Sequence, residues 1–301
     1  MLTGKSGADG WLIIDKPFGL TSNQVVRAVR RCYGGKVGHA GTLDPLATGV
    51  LPIAVGEATK TVAYAMNGWK RYRFRIRWGV ARATEDCEGE VTGKSRVRPR
   101  HEEIEAILPR FIGTIMQRPP AYSAIKIDGC RAYKLARSDK PPVLAARPVD
   151  IAELRLVAMP DRDHADCEAL VGKGTYIRAL ARDLGAALGT LAHVAALRRL
   201  SVGRFTESQA TRLDLLAERV HIAADCGFLL PIETGLDDIP ALVLTGAEAA
   251  RLRNGQSVMP SEAGLNRLKE CAVIGAWHDQ ALIALARVEN GRIRPVRVIN
   301  R

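Results

Sequence analysis

Residues 70–80 carry the clearest alternation of apolar and polar side chains in the chain. Apolar residues occupy every second position, namely Tyr72, Phe74, Ile76, Trp78 and Val80. Arginines lie between them, namely Arg71, Arg73, Arg75 and Arg77. A period of two predicts a strand with one buried face. Like charges along the other face repel, so either an anionic molecule such as RNA or acidic neighbours on an adjacent strand should lie over them, and the spacing leaves both open.

The first strand and helix are predicted near the amino end. The apolar run in GWLIIDKPFG, residues 10–19, predicts a strand that ends in a Pro-Phe-Gly turn. Thr21 and Gln24 have capping-box spacing, which predicts a helix start. Apolar residues then follow at helical spacing, namely Val25, Val26, Val29 and Cys32. Three arginines fall outside this stripe, as a solvated face or as phosphate contacts, namely Arg27, Arg30 and Arg31.

The middle of the chain predicts a helix, two strands and a second helix. The helix at 102–112 is disturbed by Pro109, and the strands are expected at about 150–158 and 165–171. The second helix follows Gly174. Its apolar stripe consists of Ile177, Leu180, Ala181, Leu184 and Leu188.

The last third predicts a helix, a linker and a small module. The helix is expected around 209–220 and the linker at 231–240. The module, about 240–301, has one helix at 246–255 and then strand-like stretches separated by turns. It is therefore expected to be mostly β.

Residues 117–149 indicate an excursion from the core. The segment is bracketed by prolines and is dense in Lys, Arg and Tyr. Basic residues interleaved with aromatics suit a loop that grips single-stranded or looped RNA, since cations meet phosphate and rings stack on bases. A plain surface loop with one helix near 130–137 is the alternative.

Length and charge favour a two-domain protein with a phosphate-rich partner. The chain has 301 residues, which suits two domains, and its 44 Lys and Arg against 32 Asp and Glu give a formal charge of +12. Nucleic acid is the expected partner, although a basic protein can also gain solubility in this way.

The cysteines and the apolar runs predict the cellular compartment of the protein and whether it binds a metal. Six cysteines occur without a CxxC pair, which predicts small buried thiols and a reducing cytoplasm. His164 and Cys167 lack a second pair at ligand spacing, so no metal is expected. The amino end has no apolar core of signal-peptide length, and no run of about 18 apolar residues occurs, so neither export nor membrane insertion is expected.

Asp44 is the strongest candidate for chemistry. An aspartate in a glycine-rich loop commonly bonds its own backbone. Here the following proline restricts Asp44 to extended conformations, which mounts the acid rigidly. Arg178 is expected in the first turn of a helix, where the helix dipole disfavours a cation, so a nearby carboxylate would explain it. An acid held in this way could be a nucleophile kept ionised by a guanidinium.

Four segments, in this order, resemble the bacterial TruB family of tRNA pseudouridine synthases. They are KPFGLTS (16–22), GHAGTLDPLATG (38–49), RPPAYSAIKIDGCRAYKLAR (118–137) and GTYIRALARDLG (174–185). The similarity runs from about residue 11 to 205, and the tail resembles the RNA-binding PUA-type module of that family. Four ordered motifs make the resemblance highly specific.

The resemblance implies an α+β fold, a long mixed and mainly antiparallel sheet with flanking helices, plus a small PUA-like C-terminal β module. It implies a catalytic domain at 1–235, with an RNA-clamping insertion at about 117–149, and an RNA-binding domain at 236–301. The expected activity is isomerisation of uridine 55 in the T loop of tRNA, without cofactor or metal. The expected partner is the tRNA T arm, bound by a cytoplasmic monomer with no obligate protein partner.

The resemblance also implies the site. In the family, the aspartate that Asp44 matches attacks the sugar or the base, and the arginine that Arg178 matches pairs with it. Tyr72 matches the tyrosine that stacks on the target base. Four further positions match substrate-binding or supporting residues: His39 holds flipped nucleotides, Lys16 supports the active-site strand, and Leu197 and Tyr176 line the base pocket.

One segment departs from the family pattern. Many members have Thr-Asp-Thr-x-Asp after the tyrosine strand, whereas this chain has Arg82, Ala83, Thr84, Glu85 and Asp86. Only Asp86 stays in register as a substrate-binding candidate. Two rival functions stay open: a guide-dependent relative that acts within a protein complex, and an RNA chaperone in which Asp44 is structural.

Overall fold

The computed structural model describes residues 8–123, 125–127, 130–136, 144–219, 227–236, 239–259, 268 and 271–300. In chain order, the strands are β1 Gly10–Lys16, β2 Val37–His39, β3 Thr48–Val55, β4 Lys70–Trp78, β5 Val80–Arg82, β6 Val91–Lys94, β7 Gly113–Gln117, β8 Lys126–Ile127, β9 Cys130–Arg131, β10 Arg147–Asp161, β11 His164–Val171, β12 Ala192–Val202, β13 Phe205–Thr206, β14 Thr211–Arg212, β15 Leu229–Leu230, β16 Ala241–Val243, β17 Ile274–His278, β18 Ala281–Glu289 and β19 Arg292–Val298. The helices are α1 Ser22–Tyr33, α2 Val62–Ala65, α3 His101–Ile107, α4 Ala132–Leu135, α5 Ile177–Ala187, α6 Leu213–Arg219 and α7 Gly246–Arg253.

One large sheet organises the amino-terminal part. Within the described residues it has 11 strands, and its main path runs β14-β1-β3-β12-β4-β11-β10-β7. The β1–β14 and β12–β3 pairs are parallel and the other pairs are antiparallel. A second sheet, β16-β17-β18-β19, forms the small C-terminal module. The predicted α+β fold with a long mixed sheet and a C-terminal β module is confirmed.

The two faces of the large sheet pack on different layers. On one face, α1, α3 and α5 contribute Val25, Ile104 and Leu180 to a core that includes Tyr72 and Phe74 of β4. On the other face, a second core joins β1 and β3 to the C-terminal module. This face also buries Trp11, whose indole Nε1 donates to the carbonyl of Ile232 at 3.1 Å. The segment expected as a linker at 231–240 is therefore packed against the sheet where it is described.

The arginines of β4 pair with acidic residues of neighbouring elements. Arg71 lies 2.7 Å from Glu153, Arg75 lies 2.6 Å from Asp166, and Arg77 lies 2.6 Å from Asp163. Arg73 lies 3.2 Å from Glu168. Of the two alternatives that the alternation left open, pairing with acidic neighbours is the one observed. The pairs of Arg75 and Arg77 are partly exposed at both partners and contribute at most about 1 kcal/mol each, whereas Glu168 is buried.

Several element boundaries differ from the sequence-based expectations. The strand expected at 150–158 runs over Arg147–Asp161, and the helix expected at 209–220 begins at Leu213. Strand β12, which had no assignment, lies between β3 and β4 in the middle of the sheet. In the excursion, the expected helix is the four-residue α4, and residues 124, 128–129 and 137–143 lie outside the described ones.

The structure bears on two expectations from the sequence, the burial of the cysteines and the lack of a membrane-spanning helix. Cys167 is buried, but Cys87 is exposed, so the expectation of buried thiols is wrong for Cys87. No helix in the described part of the chain combines the length and apolar character needed to cross a membrane.

Candidate active site

Asp44 lies in the loop between β2 and β3. Hydrogen bonds fix the backbone of this loop at the residues before and after Asp44. Ser22, the first residue of α1, accepts from the Leu43 N–H at 2.8 Å and donates to the Leu43 carbonyl at 3.1 Å. The Pro45 carbonyl accepts from Lys16 Nζ at 3.1 Å and from the Gly19 N–H at 2.8 Å. The segment is therefore tied to β1, to the turn after it, and to α1.

Lys16 stabilises this turn through hydrogen bonds to backbone carbonyls. Its side chain is fully buried, and Nζ also donates to the carbonyls of Pro17 at 2.9 Å and Leu20 at 2.6 Å. Burial lowers the pKa of Lys16 to about 8, although the negative charge of Asp44 opposes this shift. Lys16 thus ties together the backbone of the turn after β1 and the carbonyl that follows Asp44.

Arg178 reaches Asp44 from the first turn of α5. Its Nε donates to Asp44 Oδ2 at 2.9 Å, and the arginine is 4% exposed whereas the Asp44 side chain is 35% exposed. Nη1 donates to the Thr84 carbonyl at 2.7 Å and Nη2 to the Tyr122 carbonyl at 3.0 Å. The guanidinium is therefore fixed in one orientation by three oxygen partners, while about a third of the Asp44 side chain stays exposed.

The loop that departs from the family pattern still contacts the arginines of α5. Asp86 is 2% exposed, and its Oδ2 lies 3.6 Å from Arg178 Nη1. Glu85 pairs with Arg182 at 2.5 Å, and burial raises the pKa of the Glu85 carboxyl. The altered residues at 82–86 therefore keep a polar connection to α5, through Thr84, Glu85 and Asp86.

A buried arginine that the sequence did not single out lies beneath the Asp44 loop. Arg199 of β12 is 1% exposed and donates to the carbonyls of Val50 at 2.8 Å and Gly41 at 3.0 Å. Gly41 precedes Asp44 and Val50 follows it, so one side chain ties both ends of the loop. The backbone of Gly49 also lies close to that of Arg199. This position favours glycine, because its φ is +98° and a Cβ there would lie 2.2 Å from the Arg199 carbonyl oxygen.

Two cavities meet at Asp44. The first, about 570 Å³, is lined by His39, Asp86 and Glu88 among others. The second, about 290 Å³, is lined by Tyr72, Leu197 and Tyr176 among others. Five residues line both cavities: Thr42, Leu43, Asp44, Ser123 and Arg178. The second cavity offers the apolar and aromatic walls that suit a flat ring.

His39 lines the first cavity and has one ring nitrogen without a hydrogen-bond partner among the described residues. This nitrogen, Nδ1, is buried. Burial, aided by the positive charge of Arg199, lowers the pKa of His39 below its usual value of 6.5. A neutral imidazole has one donor and one acceptor nitrogen, so His39 adds a polar group to this wall of the cavity.

Both ends of the 117–149 excursion contact Tyr176. The fully buried Gln117 accepts from the Tyr176 N–H at 2.8 Å and donates to its carbonyl at 3.2 Å. At the other end, the Arg147 guanidinium lies 5.7 Å from the centre of the Tyr176 ring. The excursion is thereby connected to a wall of the second cavity and, through Tyr122, to Arg178.

The predicted site residues come together in these two cavities and the turn beside them. Asp44, Arg178, Asp86 and His39 line the first cavity, Tyr72, Leu197 and Tyr176 line the second, and Lys16 bonds the carbonyl of Pro45, the residue after Asp44. Sequence reasoning missed Ser22, Lys70, Gln117 and Arg199. Arg199 had one available signal: it adjoins Arg198 on a strand, and neighbouring strand residues point to opposite faces, so one of the two had to point inward.

The arrangement can support nucleophilic attack on a bound ring or sugar. The Asp44 carboxylate is partly exposed, a guanidinium bonds one of its oxygens, and a cavity with aromatic and aliphatic walls adjoins it. Carboxylates act as covalent catalysts at sugar carbons.

Comparisons with known proteins identify the family of the chain. Residues 29–177 match the model of the TruB family pseudouridylate synthase N-terminal domain, and residues 178–265 match that of the tRNA pseudouridylate synthase B C-terminal domain. The tRNA pseudouridine synthase B of Bradyrhizobium diazoefficiens is 52% identical over 297 residues, covering 97% of this chain and 86% of that protein. The protein of the same name from Caulobacter sp. strain K31 is 50% identical, covering 96% and 95%.

Solved structures support the fold. An H/ACA ribonucleoprotein bound to a substrate RNA containing 2′-deoxyuridine includes a chain that matches with a TM-score of 0.74 at 21% identity, covering 97% of this chain and 85% of that one. A chain of the archaeal box H/ACA Nop10–Cbf5 complex matches with a TM-score of 0.73 at 22% identity, covering 97% and 86%. At these identities the likeness concerns the fold alone. The family models and the bacterial relatives show that the chain belongs to the TruB family of pseudouridylate synthases.

Proposed function

We propose that this protein converts uridine 55 in the T loop of tRNA to pseudouridine. Family membership supports pseudouridine formation, and the relatives at 48–52% identity are named tRNA pseudouridine synthase B. One observation carries the proposal at the level of chemistry: the Asp44 carboxylate is bound to Arg178 where the two cavities meet. Position 55 rests on the resemblance of the four motifs.

The reaction moves the base from a nitrogen link to a carbon link. The target uridine leaves its stack, which costs a few kcal/mol, and enters the cavity beside Tyr72. The N1–C1′ bond breaks, a C5–C1′ bond forms, and the proton on C5 moves to solvent while N1 gains one, so the product is an isomer. Asp44 attacks either C1′ of the ribose or C6 of the base, and both routes use the same accessible oxygen.

The surrounding residues orient the groups that react. Arg178 holds one oxygen of Asp44, which directs the other toward the substrate. Tyr72 and Leu197 contact the faces of the base, and Tyr176 closes the same cavity. His39 and Asp86 bind parts of the extruded nucleotides in the first cavity. Lys16 keeps the Asp44–Pro45 turn in place.

The excursion at 117–149 clamps the T arm in this proposal. Its two ends are anchored on Tyr176, so RNA bound by its basic residues lies next to the site. The protein then grips tRNA by itself, as a cytoplasmic monomer without cofactor, metal or obligate protein partner. Light scattering of the purified protein with and without tRNA tests the monomer.

The direct test supplies only purified protein and RNA. We expect an isolated T-arm hairpin and an unmodified tRNA to gain one pseudouridine each, detected by mass analysis after treatment with a reagent that marks pseudouridine. A tRNA with cytidine at position 55 should gain none. Binding without product would favour the RNA chaperone, and activity only with added guide RNA and proteins would favour the guide-dependent relative. Product at another uridine would contradict the choice of position 55.

A further inference from the structure

Two buried cations line the cavity beside Tyr72 without a carboxylate partner. Arg199 is 1% exposed and Lys70 is 8% exposed, and both belong to the walls of the second cavity. Arg199 donates to backbone carbonyls, and so does Lys70, whose Nζ lies 2.7 Å from the Met66 carbonyl oxygen and 2.6 Å from that of Gly68. In the described part of the chain, no carboxylate oxygen is within 4.0 Å of either cation. Arg199 and Lys70 are called the buried cation pair below.

An uncompensated charge in the interior is unfavourable and needs a reason. Burying a cation costs several kcal/mol, and carbonyl dipoles offset only part of this cost. The other arginine at the site differs, because Arg178 is neutralised by Asp44 and Asp86. The positive charges also repel one another: burial lowers the pKa of Lys70 to about 8, and the charges of Arg199 and Lys173 add to this shift. The cavity wall therefore carries two positive charges that no ion pair among the described residues neutralises.

The proposed reaction creates negative charge in this cavity on either chemical route. If Asp44 attacks C1′, the electron pair of the N1–C1′ bond leaves with the base and produces a uracil anion. If Asp44 attacks C6, its oxygen bonds to C6 and the C5–C6 π pair moves onto C5 and O4. In both cases the ring beside Tyr72 becomes an anion before the C5–C1′ bond is complete. Fixed positive charge aimed at such a site is among the largest catalytic effects in enzymes.

We propose that the buried cation pair, Lys70 and Arg199, stabilises the uracil anion formed during the reaction. This inference rests on the proposed function and deepens it. Lys70 begins β4, two residues before Tyr72, and Arg199 lies directly opposite Tyr72 in the β4–β12 register. The strand pair that presents the ring-stacking tyrosine thus also presents both charges. Exposed cations attract the RNA backbone, whereas these two are buried side chains that line the cavity.

The test compares two substrates that differ in how well the base carries negative charge. One RNA hairpin has uridine at the target position and the other has 5-fluorouridine, whose electron-withdrawing fluorine stabilises an anionic ring. Single-turnover consumption of each nucleoside is measured by chromatography after digestion. The variants are Lys70→Met, which removes the charge and keeps the length of the stem, and Arg199→Gln, which removes the charge and keeps donors for the loop carbonyls. Arg198→Gln is the control, because Arg198 pairs with Asp15 and Glu207 outside the cavity.

We expect each charge-removing variant to consume the uridine substrate about 100-fold more slowly, the size typical for losing a fixed electrostatic group. The 5-fluorouridine substrate should be slowed clearly less, and Arg198→Gln should slow neither. Equal slowing of both substrates would show a structural role and overturn the inference, as would rates like wild type. If Lys70→Met does not fold, Lys70→Gln, which can still donate to the Met66 and Gly68 carbonyls, gives the same comparison.

The same experiment separates this inference from the proposed function. Wild-type protein that converts the uridine hairpin supports the proposed function whatever the variants do. Wild-type protein that fails to convert it contradicts the proposed function, and the inference falls with it. Conversion by wild type with an unchanged ratio of the two substrates in both variants overturns the inference alone.

Discussion

Arg178 Nε donates to Asp44 Oδ2 at 2.9 Å, although 134 positions separate the two residues along the chain. The contact joins the loop after β2 to the first turn of α5. The same guanidinium bonds the Thr84 and Tyr122 carbonyls, so three loops converge on one side chain. The position of Asp44 therefore depends on the fold of the whole sheet domain rather than on its own loop.

Replacing Arg178 by lysine should weaken catalysis more than RNA binding. Lysine keeps the charge but cannot reach all three oxygen partners in the fixed geometry of a guanidinium. Each charge-assisted bond that is removed is worth about 1.5–3 kcal/mol, so Arg178→Lys should slow single-turnover product formation at least about tenfold. Arg182→Lys, which alters a neighbouring arginine with no contact to Asp44, is the control. A rate within about twofold of wild type would contradict this role for Arg178.

Replacing Gln117 by leucine should destabilise the protein. The change leaves the N–H and carbonyl of Tyr176 without the partner they have now, and a buried unsatisfied group costs about 1–3 kcal/mol. We expect the free energy of unfolding from denaturant titration to fall by about 2 kcal/mol or more. Met116→Ala, at the exposed preceding position, should change it by less than about 0.5 kcal/mol. Equal effects of the two changes would refute the anchoring role of Gln117.

Gly49→Ala should be far more damaging than Gly35→Ala. Both glycines have positive φ, but a Cβ at Gly35 meets nothing within 4 Å, whereas one at Gly49 meets the Arg199 carbonyl oxygen at 2.2 Å. Backbone strain of about 1–3 kcal/mol applies to both, and overpacking adds about 1–3 kcal/mol at Gly49 alone. Thermal denaturation should show a clearly larger drop in Tm for Gly49→Ala, and similar values would count against the close approach of Gly49 to Arg199.

His39 should titrate below its usual range and lower stability in acid. Its pKa is depressed by burial and by Arg199, so the unfolded chain binds a proton more readily than the folded one as pH falls through about 6.5. The contribution of His39 to the free energy of unfolding should therefore decline below about pH 6.5, and His39→Gln should reduce this decline. NMR titration measures the pKa directly. Arg199→Gln should raise it, and a pKa of His39 above 6.5 in the wild type would be the contrary result.

The arginines of β4 should contribute little to tRNA affinity. Arg73 and Arg75 are paired with Glu168 and Asp166, so Arg73→Gln and Arg75→Gln should leave the salt dependence of binding unchanged. Neutralising Lys126, Lys134 and Lys140 of the excursion should reduce the slope of log affinity against log salt by about 1 for each phosphate that no longer meets a lysine. Filter binding at several salt concentrations measures both. An unchanged slope after neutralising these lysines would contradict the proposal that the excursion clamps the T arm.

Local sequence patterns predicted individual strands and helices. Which of these elements lie beside each other became evident only from the three-dimensional structure. The alternation at 70–80 and the capping box at Thr21 specify β4 and α1, because both depend on neighbours in sequence. The strand β12 gave a weaker signal, since it lies between two strands and its alternation is broken where it pairs irregularly with β4. The sequence could not say whether the arginines of β4 pair with acidic residues, because this depends on which strand lies beside β4.

Some residues of the candidate site could likewise be predicted from local sequence, and others became evident only from the structure. Motif resemblance indicated Asp44, Tyr72 and Arg178, because these residues lie in short ordered stretches. Lys70 and Arg199 were missed, since a buried cation bound only to carbonyls leaves no complementary acid in the sequence. Gln117 was missed because its partner is the backbone of Tyr176, 59 positions away.

The most direct measurement is pseudouridine formation by Asp44→Asn, with tRNA affinity measured on the same preparation. The amide keeps the shape of the carboxylate but is not a nucleophile, so product should disappear, while affinity should change little because phosphate contacts supply most of it. Asp15→Asn is the matched control, since Asp15 is a half-buried carboxylate paired with Arg198, and it should retain activity. Product formed by Asp44→Asn at the wild-type rate would contradict nucleophilic attack by Asp44.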